Sequence, residues 1–315
     1  MKKIFLNSPA RIHLGFLELD PRSNRNFGSL GLAINSFPTI IEGNLFTKNI
    51  INKEKEKFNE IITNINSRYE IQPCKIKINK SSPEHSGLGS GTQLALSIGI
   101  ILTKLSQKKI SVNQVAKILE RGKRSGIGIN CFKKGGFIID SGKIKGKNNV
   151  PSIIFHNKWP KNWKLILIID NNAKKIFGKR ESEKFKKLNK VKSNFSSQNC
   201  KSVLMKIMPS IIEKNFADFC SGIQEIQENT GHAFAEFQGG MYSSKNVRKI
   251  FNELEKMGIK GYGQSSWGPT GFVLCENALE QISLIKEIKK ILKKNSIKNI
   301  NLLKTEGRNY GYKFG

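Results

Sequence analysis

Acidic side chains are scarce in this 315-residue sequence, which has 24 Asp and Glu against 54 Lys and Arg and a formal net charge of +30 at pH 7. A field of this sign attracts phosphorylated metabolites, nucleic acids or anionic membranes. The alternative is the residue usage of an AT-rich genome, because the lysines are scattered among Ile and Asn along the whole chain. The scatter favours this second interpretation over a single binding patch.

Long apolar runs are also missing. No window contains the roughly 18 uncharged apolar residues that cross a bilayer, and the apolar start of the chain is too short for a secretory signal. We therefore expect a cytoplasmic protein with no membrane partner. Hydrophobic residues still make up 38% and aromatic residues 9% of the chain, which is enough apolar surface to exclude wholesale disorder.

The five cysteines are widely spaced and form no C-x-x-C pair, which excludes a zinc knuckle or a dithiol redox motif and indicates reduced thiols. Neither a structural repeat nor a long Pro-, Gly- or Ser-rich linker divides the chain. At this length, one large or two fused hydrophobic cores are expected.

Apolar periodicity predicts strands and helices in an uneven distribution. The predicted strands are Ile4–Ser8, Ile12–Leu19, Leu30–Asn35, Thr39–Glu42, Cys74–Asn79, Leu165–Asp170 and Gly271–Cys275. The predicted helices are a stretch around Phe58–Ile65, then Gln93–Leu105, Val112–Leu119, regions near 180–190, 198–207, 210–229 and 245–257, and Leu279–Lys293. The basic run Lys179–Lys192 is typical of a solvated helix. This pattern predicts an α+β fold in two units, residues 1–160 with mixed sheet and helices and residues 161–315 with helices over an antiparallel sheet.

The strongest local signal is the segment Ser82–Gln93, which lies between a predicted strand and an apolar helix. Its alternate glycines, Gly87, Gly89 and Gly91, allow backbone conformations that other residues avoid, so successive N–H groups can converge on an anion. Ser90 or Thr92 is expected to cap the following helix, whose N-terminal end attracts the same anion. A plain glycine-rich connection is the alternative. The segment predicts a phosphate or pyrophosphate site formed by Gly87, Leu88, Gly89, Ser90, Gly91 and Thr92.

Two further glycine clusters are candidates for binding. In Arg121–Gly142, the arginines Arg121 and Arg124 suit phosphate or carboxylate, and Asp140 at a strand end suits a divalent metal. Gly261–Gly271 is either a second anion-binding loop or a tight hairpin.

Pro9–Arg11, Pro83–Ser90 and Gly261–Gly271 resemble the three motifs of the superfamily of galactose, homoserine, mevalonate and phosphomevalonate kinases, abbreviated GHMP kinases. The sequence is more similar to a branch that is not a kinase, the β-ribofuranosylaminobenzene 5′-phosphate synthases. His85–Gln93 carries that similarity, where a kinase usually shows Ser-Ser-Ala after Gly-Leu-Gly. Other matching segments are Arg11–Leu14, Gly31–Ala33, Arg121–Gly142, Met208–Glu213, Thr230–Gly231, Gln238–Gly240 and Gln264–Thr270.

The resemblance implies a GHMP-kinase-like two-unit fold whose cleft holds the substrates. It also implies a transferase that joins 5-phosphoribosyl 1-diphosphate to 4-aminobenzoate or a related 4-substituted benzoate. The reaction loses pyrophosphate and CO2, forms a carbon glycoside, and belongs to methanopterin biosynthesis and one-carbon metabolism. Mg²⁺ is the expected cofactor, with Ser90 and Asp140 as candidate ligands. We expect a homodimer with no nucleic-acid partner.

Within that resemblance, the candidate catalytic residues are Arg11, His13 and His85. His85 either acts on a substrate or is a hydrogen-bonded loop histidine, and His13 either points into the site with Arg11 or is a structural strand residue. Phe234 and Phe237 either wall the aromatic ring or pack a corner between helices. The candidate substrate-binding residues are Arg121, Arg124, Ser125, Gln238, Gln264, Ser265, Ser266 and Gly268.

Two other functions compete with this one. An ATP-dependent small-molecule kinase would use the same phosphate loop, but many kinases of the superfamily place an Asp two residues after a Ser-Gly pair, and here Ser125-Gly126 is followed by Ile127 and Gly128. A phosphoryl-transfer enzyme without that base must deprotonate its acceptor another way. A nucleic-acid-binding protein has only the net charge in its favour, since no recognised motif is present.

Overall fold

The computed structural model describes residues 3–52, 55–173 and 194–315. The strands are β1 (Ile4–Glu18), β2 (Arg25–Leu45), β3 (Ile50–Ile51), β4 (Cys74–Lys80), β5 (Phe137–Asp140), β6 (Lys143–Ile144), β7 (Ile153–Asn157), β8 (Lys164–Asp170), β9 (Tyr262–Gln264), β10 (Thr270–Cys275), β11 (Ile300–Glu306) and β12 (Lys313–Phe314). The helices are α1 (Lys55–Asn66), α2 (Ser90–Leu105), α3 (Val112–Ile118), α4 (Ile127–Lys134), α5 (Phe195–Ser202), α6 (Met208–Glu213), α7 (Phe216–Gln238), α8 (Lys245–Lys256) and α9 (Ala278–Lys294), and a π-helical turn Val203–Ile207 joins α5 to α6. The predicted helix near 180–190 and the basic run Lys179–Lys192 lie outside the described residues.

The first sheet is built on a long antiparallel hairpin of β1 and β2. Its main path is β12-β1-β2-β4-β3, and β5, β6 and β7 extend it from β2. The pairing of β1 with β2 shifts register between Ser8 and Ala10 and again between His13 and Gly15. Such bulges bend a strand without ending it, which is why the four short strands predicted here are two long ones. β3 runs parallel to β4, so the sheet is mixed.

The second sheet has the strand order β11-β8-β10-β9 and is antiparallel throughout. Its strand β8 is a continuous apolar run because both faces are covered. Leu165 and Leu167 point toward the core between the two sheets, whereas Ile166 and Ile168 pack with residues of α8 and α9. The α+β architecture predicted from the sequence is confirmed.

Three apolar layers hold the sheets and helices together. The first lies between the first sheet and α1, α2 and α3, and the second lies between the two sheets and includes α7. The third lies between the second sheet and the pair α8 and α9. The face of the second layer that belongs to β1 and β2 includes Ile12, Leu14, Leu30 and Leu32, all fully buried. Arg11 and His13 alternate with these residues and therefore face the other side, toward α2 and α4.

The last described residues return to the first sheet. β12 pairs with β1, placing Phe314 opposite Leu6, and Gly315 N donates to Phe5 O at 3.0 Å. Arg308 is buried and donates to Asn7 Oδ1 at 2.8 Å. β7 and β11 were not predicted, because both carry polar residues among their apolar ones. The division at residue 160 stays a prediction.

Candidate active site

The predicted phosphate loop leads into α2 through two left-handed glycines. Gly87 has φ of +85° and Gly89 has φ of +81°, a region that glycine enters without a steric penalty. Gly89 is the N-cap of α2, and no side chain caps the helix. The prediction that Ser90 or Thr92 caps α2 is therefore wrong. Both lie in its first turn, because the left-handed residue before them already sets the helix start.

A second helix N-terminus meets the first. α4 begins after Gly126, which also provides no side-chain cap. Gln93 Nε2 donates to Gly128 O at 2.7 Å, and a Cβ on Gly128 would lie 3.1 Å from Thr92 Cγ2. Glycine at this position thus lets the two helix starts touch. Because each helix start carries partial positive charge, their convergence favours an anion between them.

Arginines surround these helix starts. Arg11 N donates to Leu88 O at 3.1 Å, and Arg11 Nη1 donates to Gly87 O. A Cβ on Gly89 would lie 3.3 Å from Arg11 Cζ, and one on Gly91 would lie 3.9 Å from Arg121 Nη1. Two guanidinium groups thus flank the glycines of the loop. Leu88 itself is buried in the layer between the sheets and anchors the loop.

The late loop Gly261–Gly271 supports the phosphate loop from the other side. Ser265 is fully buried, its hydroxyl accepts from His13 N at 2.9 Å, and it donates to Gly87 O at 2.7 Å. Gly268 packs directly on the backbone of Ser86 and Gly87, where no Cβ fits. Ser266 has φ of +58°. Ser265 therefore joins β1, the phosphate loop and the late loop.

Gln238 and Gln264 contact each other at the end of α7. Gln264 Nε2 donates to Gln238 Oε1 at 3.2 Å and to Ser266 O at 2.8 Å, and Gln264 Oε1 accepts from Ser243 N at 2.6 Å. Gln227 Oε1 accepts from Gln264 N at 2.8 Å. These amides fix the late loop against α7, and their binding of substrate stays a prediction.

The two candidate histidines have different environments. His85 is exposed in the loop with φ of +55°. His13 is buried beside the Phe16 ring at a centroid distance of 4.5 Å, and its Nδ1 accepts from Gly15 N at 3.3 Å. Burial, and then the charges of Arg11 and Arg124, hold the pKa of His13 well below its usual value. A catalytic role for either residue stays a prediction, but the ring of His13 is neutral near pH 7.

Asp140 closes β5 beside the start of α4. Its Oδ2 accepts from Gly126 N at 2.8 Å and from Ser125 Oγ at 3.4 Å, and its Oδ1 accepts from Gly142 N at 2.8 Å. Burial raises the pKa of this carboxyl to about 6. Each oxygen thus already accepts a backbone hydrogen bond. Within the described ranges, no cluster of three or more His, Cys, Asp or Glu side chains could hold a metal ion.

An aromatic cluster that sequence reasoning only partly found borders His13. The Phe16 ring lies 6.0 Å from Phe234 and 6.2 Å from Phe27, and Phe234 lies 4.3 Å from Trp267. Phe27 also lines a surface cavity of about 300 Å³ with Lys123, Lys143, Ile144, Lys145 and Lys147. Lys143, Lys145 and Lys147 had no local motif to reveal them, because β6 brings this segment to β2 only in the folded chain.

Ser29 is a second residue that the sequence did not reveal. It is fully buried with no hydrogen-bond partner for Oγ among the described residues. Ser29 lies two residues from Gly31, which pairs with His13 across β1 and β2. Residues two apart share a face of a strand, so Ser29 and His13 lie on the same side of the sheet. Only the strand register could have placed them together.

Comparison with known proteins gives one partial and several full-length matches. Residues 49–136, which include the phosphate loop, match the family described as GHMP kinases N terminal domain. A relative from Methanocaldococcus jannaschii named beta-ribofuranosylphenol 5'-phosphate synthase is 32% identical over 98% of this chain and 99% of its own. One of the same name from Archaeoglobus fulgidus is 28% identical over 86% of this chain and 88% of its own.

Solved structures with low sequence identity share the fold. The phosphomevalonate kinase of Streptococcus pneumoniae superposes with a TM-score of 0.71 at 12% identity, covering 98% of this chain and 100% of that one. The mevalonate pyrophosphate decarboxylase of Streptococcus pyogenes superposes with a TM-score of 0.69 at 14% identity, covering 98% and 97%. Both likenesses bear on the fold alone. In the part of the chain that the structure describes, no helix has the length and apolar character to span a membrane.

Proposed function

The chain belongs to the family of β-ribofuranosylphenol 5′-phosphate synthases, and from that membership we propose its substrates and the course of its reaction. The donor is 5-phosphoribosyl 1-diphosphate. The acceptor is 4-hydroxybenzoate, because the relatives' name specifies a phenol where 4-aminobenzoate would give an aminobenzene. The near full-length relative at 32% identity is the observation that carries this proposal.

The proposed reaction breaks one bond in each substrate and joins the two substrates by a new carbon–carbon bond. The bond from the anomeric carbon to the pyrophosphate oxygen breaks, and the ring carbon that bears the carboxylate attacks the anomeric carbon. The bond from that ring carbon to the carboxylate then breaks, its electron pair restores the aromatic ring, and CO2 leaves. The hydroxyl group para to the attacked carbon supplies electron density, so the step needs no strong base.

The residues around α2 and α4 suit the departing pyrophosphate. Negative charge develops on the leaving group, and N–H groups fixed at two helix starts stabilise it without reorganising. Arg11 and Arg121, which flank the glycines of the loop, and Arg124 add charge-assisted hydrogen bonds. The aromatic cluster around Phe16 lies next to this anion site and offers an apolar surface for the acceptor ring.

Mg²⁺ is part of the proposal as an ion carried largely by the substrate. Mg²⁺ commonly binds through substrate phosphates with one or two protein ligands, which fits a site without an acidic cluster in the described ranges. Ser90, which is partly buried in the first turn of α2, would hold it through its hydroxyl, whereas both oxygens of Asp140 already accept backbone N–H groups. When bound, the ion neutralises charge on the pyrophosphate.

We further propose that the enzyme acts as a homodimer in the cytoplasm and supplies methanopterin biosynthesis. The reduced cysteines support that compartment, since Cys74, Cys131, Cys220 and Cys275 are buried free thiols.

A kinase is disfavoured by α4, whose first turn carries no acidic residue.

The test uses purified protein with 5-phosphoribosyl 1-diphosphate, Mg²⁺ and carboxyl-labelled 4-hydroxybenzoate. We expect labelled CO2 and pyrophosphate in equal amounts, and neither product when the donor is omitted. Parallel reactions with 4-aminobenzoate measure the preference between the two acceptors. ADP formation from ATP and a small alcohol, without CO2 release, would contradict the proposal.

A further inference from the structure

His13 lies at the border between the anion-binding loop and the aromatic cluster. Its backbone N–H is tied through Ser265 Oγ to the phosphate loop, and its ring contacts Phe16. On the loop side, Arg11 contacts Gly87, and on the other side Phe16 packs against Phe234. A ligand at this border meets positive charge at one end and apolar rings at the other.

The bulge after His13 fixes which ring nitrogen carries the proton. The register shift between His13 and Gly15 frees Gly15 N from the ladder, and that N–H donates to His13 Nδ1. A neutral imidazole has one donor and one acceptor nitrogen. Because Nδ1 accepts, Nε2 carries the hydrogen and is a donor.

That donor has no acceptor within the described residues. His13 is 3% exposed, and its Nε2 is buried without a hydrogen-bond partner. Native proteins rarely leave such a group unpaired, since it costs about 1–3 kcal/mol. A buried unpaired donor between the anion-binding loop and the aromatic rings therefore indicates that a bound molecule supplies the missing acceptor.

We propose that His13 Nε2 donates a hydrogen bond to the carboxylate of the aromatic acceptor, holding it beside the Phe16 ring until CO2 leaves. This inference rests on the proposed function. A carboxylate on a ring matches the border of charge and aromatic surface, whereas pyrophosphate has no apolar part to place against Phe16. A neutral donor also suits a group that must depart as CO2, because a cation in its place would stabilise the carboxylate and oppose its loss. Because Nε2 is buried, this hydrogen bond requires the side chains over Nε2 to move aside when the acceptor binds.

The direct test is NMR of protein labelled with ¹⁵N-histidine, which has only four histidines to assign. We expect the Nε2–H tautomer of His13 in the free enzyme. Adding 4-hydroxybenzoate should shift its Nε2–H resonance, whereas phenol and inorganic pyrophosphate should leave it in place. An equal shift with phenol, or a shift with pyrophosphate instead, would overturn the assignment.

Three variants separate the donor from the structural contact. His13→Asn keeps an acceptor for Gly15 N but lacks a donor at the Nε2 position, and His13→Gln restores a donor there. We expect His13→Asn and His13→Phe to raise KM for 4-hydroxybenzoate by about tenfold to a hundredfold, with KM for 5-phosphoribosyl 1-diphosphate within about twofold, and His13→Gln to recover most of the loss. An unchanged KM in a folded His13→Asn enzyme would refute the inference while leaving the proposed function intact. A shift of the His13 Nε2–H resonance by 4-hydroxybenzoate in an enzyme that releases no CO2 would refute the proposed function while leaving the hydrogen bond from His13 intact.

Discussion

Two aspartates close strands in different sheets with almost the same local geometry. Asp140 ends β5 in the first sheet, and Asp170 ends β8 in the second. Both are buried, and in each the Oδ1 accepts the N–H of the residue two positions later, from Gly142 at 2.8 Å and from Asn172 at 2.9 Å. Asp140 was predicted to be a metal ligand because it is a carboxylate at a strand end. The comparison shows that such a carboxylate also starts the turn that follows the strand.

The helix that meets each aspartate shows how the two regions differ. At Asp170, Ser244 caps α8 by accepting from Val247 N at 3.0 Å and donates to Oδ2 at 2.6 Å. At Asp140, Ser125 precedes the N-cap Gly126, donates to Oδ2 over a longer 3.4 Å and accepts from Ile127 N at 3.2 Å, while Gly126 itself provides no side-chain cap for α4. At α8, the serine and the aspartate therefore satisfy the helix start with protein groups alone. At α4, the corresponding contact leaves a helix start that favours an anion. The glycines, and Arg124 beside them, distinguish the proposed anion-binding helix start from the structural one.

The largest expected effect comes from a side chain placed at Gly89, in the proposed phosphate loop. Gly89→Val introduces a branched side chain at φ of +81° and beside Arg11, so we expect kcat/KM to fall by about a thousandfold while Tm falls by only a few degrees. Gly258→Val is the matched control, because Gly258 has φ of +74° with nothing within 4 Å of its Cβ position. Both positions have a positive φ that L side chains rarely adopt, so the two variants share this source of backbone strain. Equal activities of the two, measured at saturating acceptor, would show that the loop does not bind the donor.

A smaller effect distinguishes the two carboxylates. In Asp140→Asn, the new NH2 group must face a backbone N–H in either orientation, so two donors oppose each other. In Asp170→Asn, the NH2 group can instead face the side chains of Ser244 and Asn246, which can rotate. We expect Asp140→Asn to lose about 2–3 kcal/mol of unfolding free energy and Asp170→Asn about 1 kcal/mol. Urea denaturation at pH 7 measures both. A larger loss at Asp170 would reverse the comparison.

The raised pKa of Asp140 adds a pH dependence to that experiment. Its native pKa of about 6 exceeds the ordinary 3.8, so between these values the native state holds a proton that the unfolded chain has released. The contribution is full below about pH 4 and is lost as the pH rises to about 6, by about 3 kcal/mol at most. The advantage of wild type over Asp140→Asn should therefore shrink as the pH rises through this window, so that it is larger near pH 4 than at pH 7. A constant difference in unfolding free energy would mean that Asp140 titrates normally.

The smallest expected effect is at the serines. Ser244→Ala removes a helix cap and should cost about 1 kcal/mol of stability with kcat/KM unchanged. Ser125→Ala should cost about half as much, because its hydrogen bonds are longer and Gly126 N reaches Asp140 directly. If Ser125 touches substrate as predicted, kcat/KM falls in that variant alone. Thermal melts and initial rates on both proteins decide the matter.

Apolar periodicity predicted the helices and strands that pack against neighbours close in sequence or that are buried on both faces. α2 and β8 were found within a few residues because each is a continuous apolar run. β11 was missed, since this edge strand carries Asn301 and Lys304 among its apolar residues. The glycines of the phosphate loop were evident in the sequence, but its helix cap was not, because the choice among Gly89, Ser90 and Thr92 depends on backbone conformation.

Site residues outside motifs depended on register that no single segment encodes. His13 was predicted either to point into the site or to be a structural strand residue, and its unpaired Nε2 became visible only with the bulge at Gly15. Ser29 joins the same face through β2, and Lys143 reaches the cavity through β6. These placements depend on strand pairings between distant parts of the chain, which local propensity does not determine.

The pairing of β12 with β1 has a consequence for folding. Lys313 and Phe314 pair with Asn7 and Leu6, so this edge of the first sheet closes only when two parts of the chain that are far apart in sequence have met. Such a long-range contact carries a large loop-closure entropy and forms slowly. Until it forms, the edge at Leu6 and Asn7 is a template for contacts with other chains. Association between refolding chains is therefore expected to begin at this edge rather than in the second sheet.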